Sequence, residues 1–181
     1  MLPTRPQLIC LIGAECTGKT TLAQHLARTF TGLWVPERLR MFCDAHGRTP
    51  LQGEQTGILE QQTLDEHASL EDAQRNGMRF VFCDTAPLLT AIYSECIFGD
   101  LALYAKARQL HARYAYTLVL QPDLPWITDG LQRDGAHVQT PVHTRIVQEL
   151  QGLKLPFHTV GGTGDTRFTA AQNALRAYGI V

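Results

Sequence analysis

Residues 7–27 read QLICLIGAECTGKTTLAQHLA. The first seven form a short apolar run ending at Gly13, the pattern of a fully buried strand. From Lys19 onward, Leu22, Ala23, Leu26, Ala27 and Phe30 fall on helical spacing. Between them, GAECTGKT matches G-x-x-x-x-G-K-[ST] from Gly13 to Thr20. Each position has a physical reason. Gly13 and Gly18 permit backbone conformations that a Cβ would hinder. Successive N–H groups then line an anion-binding concavity, and the helix start adds its positive dipole end. Lys19 brings a full charge to the β- and γ-phosphates, and the Thr20 hydroxyl suits Mg²⁺. The expected phosphate cradle is therefore Gly13, Ala14, Glu15, Cys16, Thr17, Gly18, Lys19, Thr20 and Thr21. A buried strand before the loop and a helix after it are the context the pattern requires, and both are present.

Reading outward, LWVPE is a second strand cut by Pro36, and residues 37–46 read as helical or irregular. A long helical run over 53–77 stops at Asn76-Gly77. MRFVFCD is a third apolar strand, followed by helical stretches over 85–114. AYTLVLQPD is a fourth strand and PFHTVGG a fifth. Residues 124–139 look loop-like. A helix is expected to begin at Pro141 with Thr140 as its cap, and another closes the chain. This alternation predicts an α/β domain over 1–181 with the P-loop nucleoside triphosphate hydrolase fold: a five-stranded parallel sheet with helices on both faces. Ligands then belong beyond the carboxyl ends of the strands, where Gly13, Glu37, Asp84, Asp123 and Gly161 fall.

Composition excludes several alternatives. The chain has 181 residues and a net charge of -1, with thirteen arginines and only three lysines. No concentrated basic stripe marks a nucleic-acid surface. No apolar run reaches the roughly 18 residues of a membrane span, and MLPTRPQ has no signal-peptide core. Five cysteines without regular spacing argue against a disulfide framework and for a reducing cytoplasm, with Cys10 and Cys83 as buried thiols. The seven histidines show no metal-ligand spacing. Neither asparagine lies in an N-K-x-D guanine reader, which points to ATP, and the serine-glycine signature of a transporter ATPase is missing. A small-molecule kinase fits a chain of this length.

The remaining polar residues at the strand ends supply candidates. Asp84 stands where a Mg²⁺-holding carboxylate belongs, and it equally reads as a helix N-cap. Glu37 is placed to take a proton from an acceptor hydroxyl, or to sit solvated in a first helical turn. Arg40 shares its helical face and reads either as an acceptor contact or as a surface arginine. Arg133, between Gly130 and Gly135, suits a mobile cation closing on the transferred phosphoryl, with Asp129 orienting the loop; an exposed loop arginine is the plain alternative. VGGTGDTRF suits the lining of an adenine pocket or a tight strand-to-helix turn.

GAECTGKTTLAQHLA, VPERLRMF, ILEQQTLD, FCDTAPLLTAIYSECIFG, WITDGLQRDG and PFHTVGGTGDTRFTAAQNAL occur in that order. Together they resemble the NadR-type ribosylnicotinamide kinase domain, within a broader group of small P-loop ATPases and kinases of the AAA class. The resemblance spans nearly the whole chain. It implies Mg-ATP-dependent transfer of the γ-phosphoryl to the 5′-hydroxyl of nicotinamide riboside. It also implies that Thr20 and Asp84 serve the metal, Glu37 and Arg40 the acceptor, Gln61 the substrate helix and Arg133 the lid. The chain departs from that pattern at Cys16-Thr17, where two small hydroxyl residues are usual, and at Met41, where an acid is usual. The regulator's DNA-binding and adenylyltransferase parts have no counterpart in these motifs. The expected partner is thus a nucleoside-like small molecule. An ATP-binding regulatory module and a kinase for another acceptor, nucleotide or shikimate in type, are the alternatives.

Overall fold

Three strands made almost wholly of apolar residues set the centre of the molecule: β1 (Gln7–Ile12), β3 (Phe80–Asp84) and β4 (Tyr116–Leu120). The structure, a computed structural model, describes residues 5–126 and 136–181. β2 (Leu33–Val35) and β5 (Phe157–Val160) flank the central three in the order β2-β3-β1-β4-β5, and every pairing is parallel. Neither neighbour of β1 follows it directly in sequence, so the loops leaving β1, β3 and β4 meet at one edge. That is the crevice where ligands of open α/β sheets bind.

Strand alternation divides the core into two layers. Leu8, Cys10 and Ile12 join Val81, Cys83 and Val119 on one face. Ile9 and Leu11 join Phe80, Phe82, Leu118 and Leu120 on the other. The second face is covered by α1 (Lys19–Thr29) and α7 (Gly164–Ala177). The first is covered by α3 (Gln55–Arg75), α4 (Pro87–Phe98), α5 (Tyr104–His111) and α6 (Ala136–Leu153). In α4, residues Pro87 to Ser94 are all buried, as expected of a helix with neighbours on every side. The remaining helix, α2 (Arg38–His46), packs on α3 beside β2 and begins immediately after Glu37.

The five strands match the sequence reading, and the ambiguous residues after Glu37 are helical. One expectation fails. The helix assigned to start at Pro141 begins at Ala136, so Pro141 lies inside it and Thr140 is not its cap. The reason is tertiary. Gln139 is drawn onto the loop after β1, donating to the Glu15 carbonyl at 2.8 Å, while Val142 is buried in the core. These anchors carry the helix five residues beyond its expected start, so Pro141 is its sixth residue and withholds the N–H that would otherwise meet the His137 carbonyl. Cys10 and Cys83 are buried side by side in register, as expected of core thiols. Among the described residues no helix is long and apolar enough to cross a membrane.

Candidate active site

The loop from Gly13 to Gly18 joins β1 to α1. Gly18 precedes α1 in the left-handed region (φ 77°), and Cys16 is also left-handed (φ 57°). A Cβ on Gly13 would stand 2.9 Å from Thr17 Oγ1 and 3.0 Å from the Leu120 carbonyl, which explains the glycine. The loop's carbonyls are taken by side chains. The Thr17 hydroxyl donates to Ala14 O at 2.8 Å, and Lys19 Nζ to the same oxygen at 3.0 Å. Gln139 holds Glu15 O, and Arg167 Nη1 holds Thr17 O. The N–H of a peptide points opposite its C=O. Tethering the carbonyls therefore leaves the N–H edges to an anion.

Lys19 is nearly buried, and its charge acts on two carboxylates, Asp84 and Glu37. The Thr20 hydroxyl donates to Asp84 Oδ2 at 2.5 Å. The other oxygen, Asp84 Oδ1, is buried with no hydrogen-bond partner, an exception in folded proteins. A hydroxyl, a carboxylate and an unsatisfied buried oxygen at a phosphate loop suit a hard dication such as Mg²⁺, which takes oxygen ligands and retains waters. Thr20 and Asp84 are the residues that would hold it. Among the described residues no cluster of three or more His, Cys, Asp or Glu offers another metal site. The backbone turns sharply here: Thr85 is left-handed (φ 81°), unusual for a β-branched residue, and its N–H is fixed by Leu11 O at 2.9 Å.

Glu37 sits at the N-terminus of α2, only 7% exposed. Burial pushes its pKa up; Lys19 opposes this, Asp84 adds to it, and Arg40 and the Thr85 hydroxyl oppose it more weakly. Burial likewise raises Asp84, against Lys19, Thr20 and Arg40. Lys19 and Arg40 thus oppose the effect of burial on both carboxylates. Glu37, Arg40, Lys19, Glu15 and Cys16 line one small cavity with Leu39, Leu89 and Tyr93. A second adjoins it, bounded by Glu37, Thr85, Leu89, Tyr93 and Gln62. The first holds about 20 Å³, room for one water. A much larger cavity, about 770 Å³, lies at the amino ends of the strands among Gln7, Leu8, Leu70 and Arg113, far from this chemistry.

Gln61 is not brought to the Glu37 cavity. It lines a neighbouring groove with Arg38, Phe42 and Ile58, and its amide donates to Asp65 at 3.1 Å. Arg133 and Asp129, the expected lid residues, lie outside the described residues.

Residues 8–167 match the family described as an AAA domain (AAA_28). The chain belongs to this AAA-domain family. A curated relative, the trifunctional NAD biosynthesis/regulator protein NadR of Salmonella typhimurium, is 22% identical over 142 residues, covering 78% of this chain and 35% of the relative. The chain therefore spans about a third of that protein's length. Among solved structures, NadR in complex with NR aligns with a TM-score of 0.77 at 22% identity, over 98% of this chain and 52% of that one. Thymidylate kinase from Ehrlichia chaffeensis aligns with a TM-score of 0.64 at 13% identity, over 95% and 98%. The fold is that of NadR and the P-loop nucleotide kinases, and the recognised resemblance to NadR holds.

In this AAA-domain chain the structure adds residues that the sequence did not single out. Gln62, 2% exposed, accepts the Arg38 N–H at 2.9 Å and donates to the buried Glu66 at 3.2 Å, so it seats the start of α2 beside Glu37. Tyr93 walls both small cavities from α4. Gln139 and Arg167 tether the phosphate loop from 124 and 150 residues away. Helical phase gave a signal for Tyr93, one face of a helix following Asp84. Gln139 lies in no quoted motif, and Arg167 lies within VGGTGDTRF, a stretch read for its turn and not for its arginine.

Proposed function

We propose that the chain is a Mg-ATP-dependent kinase that moves the γ-phosphoryl to a hydroxyl of a nucleoside-like acceptor, with nicotinamide riboside favoured. The observation that carries this reading is the convergence of Lys19, the Thr20–Asp84 pair and the buried Glu37 at one sheet edge. A module that binds nucleotide without turning it over has no need of a second buried carboxylate beside the phosphate site.

The loop's N–H groups and Lys19 bind the triphosphate and hold its γ-phosphorus in line with the acceptor oxygen. Thr20 and Asp84 would hold Mg²⁺, which would supply charge neutralisation to the phosphates. Glu37 accepts the hydroxyl proton as the new phosphorus–oxygen bond forms and the bond to the β-phosphate oxygen breaks, releasing ADP. Burial serves this step, because a carboxylate with a raised pKa is a stronger base. Arg40 opposes Glu37's charge and orients the acceptor. Leu39, Leu89 and Tyr93 offer an apolar, aromatic wall suited to a planar ring. The favoured acceptor rests on the resemblance to NadR, and the reducing cytoplasm on five cysteines, an odd number without regular spacing.

The test is incubation with Mg-ATP and a panel of nucleosides including nicotinamide riboside, with phosphorylated product and ADP measured together. Product from one nucleoside at a matching yield of ADP supports the proposal. ATP binding without product from any member would leave a regulatory module as the better account.

A further inference from the structure

The arginine that holds Thr17 O reaches further than the phosphate loop. Arg167 lies on α7, 4% exposed, and its fork spans three segments. Nη1 donates to Thr17 O in the phosphate loop. Nε donates to Gly162 O at 2.6 Å, in the turn after β5. Nη2 pairs with Asp123 and reaches Gln121 O at 3.4 Å, both just beyond β4. Asp123 Oδ2 in turn accepts the Gly162 N–H at 2.7 Å. Only a guanidinium has enough donors in one plane to do this; an ammonium has fewer and no fixed directions.

We propose that Arg167 is a positioning residue for nucleotide binding, setting the direction of the phosphate-loop N–H groups and coupling that loop to the turns after β4 and β5. The inference rests on the reading of the loop as an ATP site. Thr17 O and the Gly18 N–H belong to one rigid peptide plane, so fixing the oxygen fixes the hydrogen on the opposite edge. Gln139 does the same for the Cys16 N–H through Glu15 O, and Lys19 and Thr17 for the Glu15 N–H through Ala14 O. The Thr17 plane matters most, because it adjoins left-handed Gly18, whose backbone has the widest conformational freedom. Through Gly162 and Asp123 the same side chain joins the phosphate end of the cleft to the turn beyond β5.

The experiment compares the full chain with Arg167→Lys, Arg167→Ala and Asp123→Asn. Calorimetry gives the affinity for Mg-ATP and for tripolyphosphate, steady-state kinetics the KM of each substrate, and hydrogen exchange the protection of amides 15–18. Arg167→Lys is expected to weaken both polyphosphate ligands by about ten-fold, to speed exchange in the loop, and to leave the acceptor KM within about two-fold. Asp123→Asn is expected to fall between it and the unaltered chain, and it carries the test alongside the lysine variant if Arg167→Ala does not fold. Unchanged polyphosphate affinity and loop exchange in Arg167→Lys and Asp123→Asn, even with a lower Tm, would overturn the proposal. So would equal losses of affinity for ATP and acceptor, the mark of general damage. An unaltered chain that binds neither polyphosphate sinks the kinase reading and this inference together; one that binds both, with insensitive variants, sinks this inference alone.

Discussion

The phosphate side of the cleft is one contiguous string, Gly13 to Thr20, whose chemistry is mostly backbone. The proposed acceptor side is assembled from the end of β2, the start of α2, the inner faces of α3 and α4, and the turn after β3. The two sides meet at one cavity of about 20 Å³, lined by Glu15, Cys16 and Lys19 from the first and by Glu37, Arg40 and Tyr93 from the second. Triphosphates are alike in every such enzyme, so one loop suffices. Acceptors differ, and their sites are built from side chains that the fold gathers from several places.

Replacements on the two sides should therefore separate. The largest effect is expected from Lys19→Ala, which removes charge from both the phosphates and the carboxylate pair. Turnover should fall by about a thousand-fold or more while circular dichroism keeps its helical signal, and loss within a few-fold would refute the role of Lys19. Glu37→Gln should lower kcat by about 10²–10⁴-fold with the affinity for Mg-ATP nearly unchanged in calorimetry; a parallel loss of both would merge the two sides into one. Asp84→Asn should raise the Mg²⁺ concentration for half-maximal activity by about ten-fold or more, read from a metal titration at saturating ATP.

A smaller effect concerns stability. Because burial raises the pKa of Glu37 in the folded chain, ionising it opposes folding. Below the ordinary glutamate range the group is protonated in both states and nothing is lost. As pH rises through the folded-state pKa, that stability disappears. Glu37→Gln should thus raise Tm by about 2–4 °C near pH 7.5, and the gain should vanish towards pH 4, in thermal melts across that range. The smallest effects distinguish two neighbours on α3. Gln62→Ala should raise the acceptor KM by about five-fold, and Gln61→Ala by less than about two-fold.

What the sequence showed follows from the same contrast. Buried strands and the loop are local patterns, and they can be read from residues a few positions apart. Glu37, Asp84 and Lys19 were legible because strand ends converge in a parallel sheet. Gln62 was not, because successive residues on an α-helix point about 100° apart and nothing local says which glutamine faces inward. The start of α6 was misplaced for a related reason: the Gln139 contact with Glu15 outweighs the local signal of Thr140-Pro141. Arg167 looks like any helix-surface arginine until Thr17, Asp123 and Gly162 are brought around it.

The small cavity beside Glu37 carries a thermodynamic consequence. A ring-bearing acceptor of the proposed reaction is too large for 20 Å³ and would bind only the fraction of molecules in which the cavity walls have parted. Its apparent affinity is the intrinsic affinity scaled by that fraction. The start of α2 is tied to α3 by the paired contacts of Arg38 with Asp65 at 2.9 and 3.0 Å, a latch on a partly exposed edge. Weakening that latch would tighten acceptor binding without touching a single acceptor contact, so tolerance to acceptor size can be set from outside the cavity.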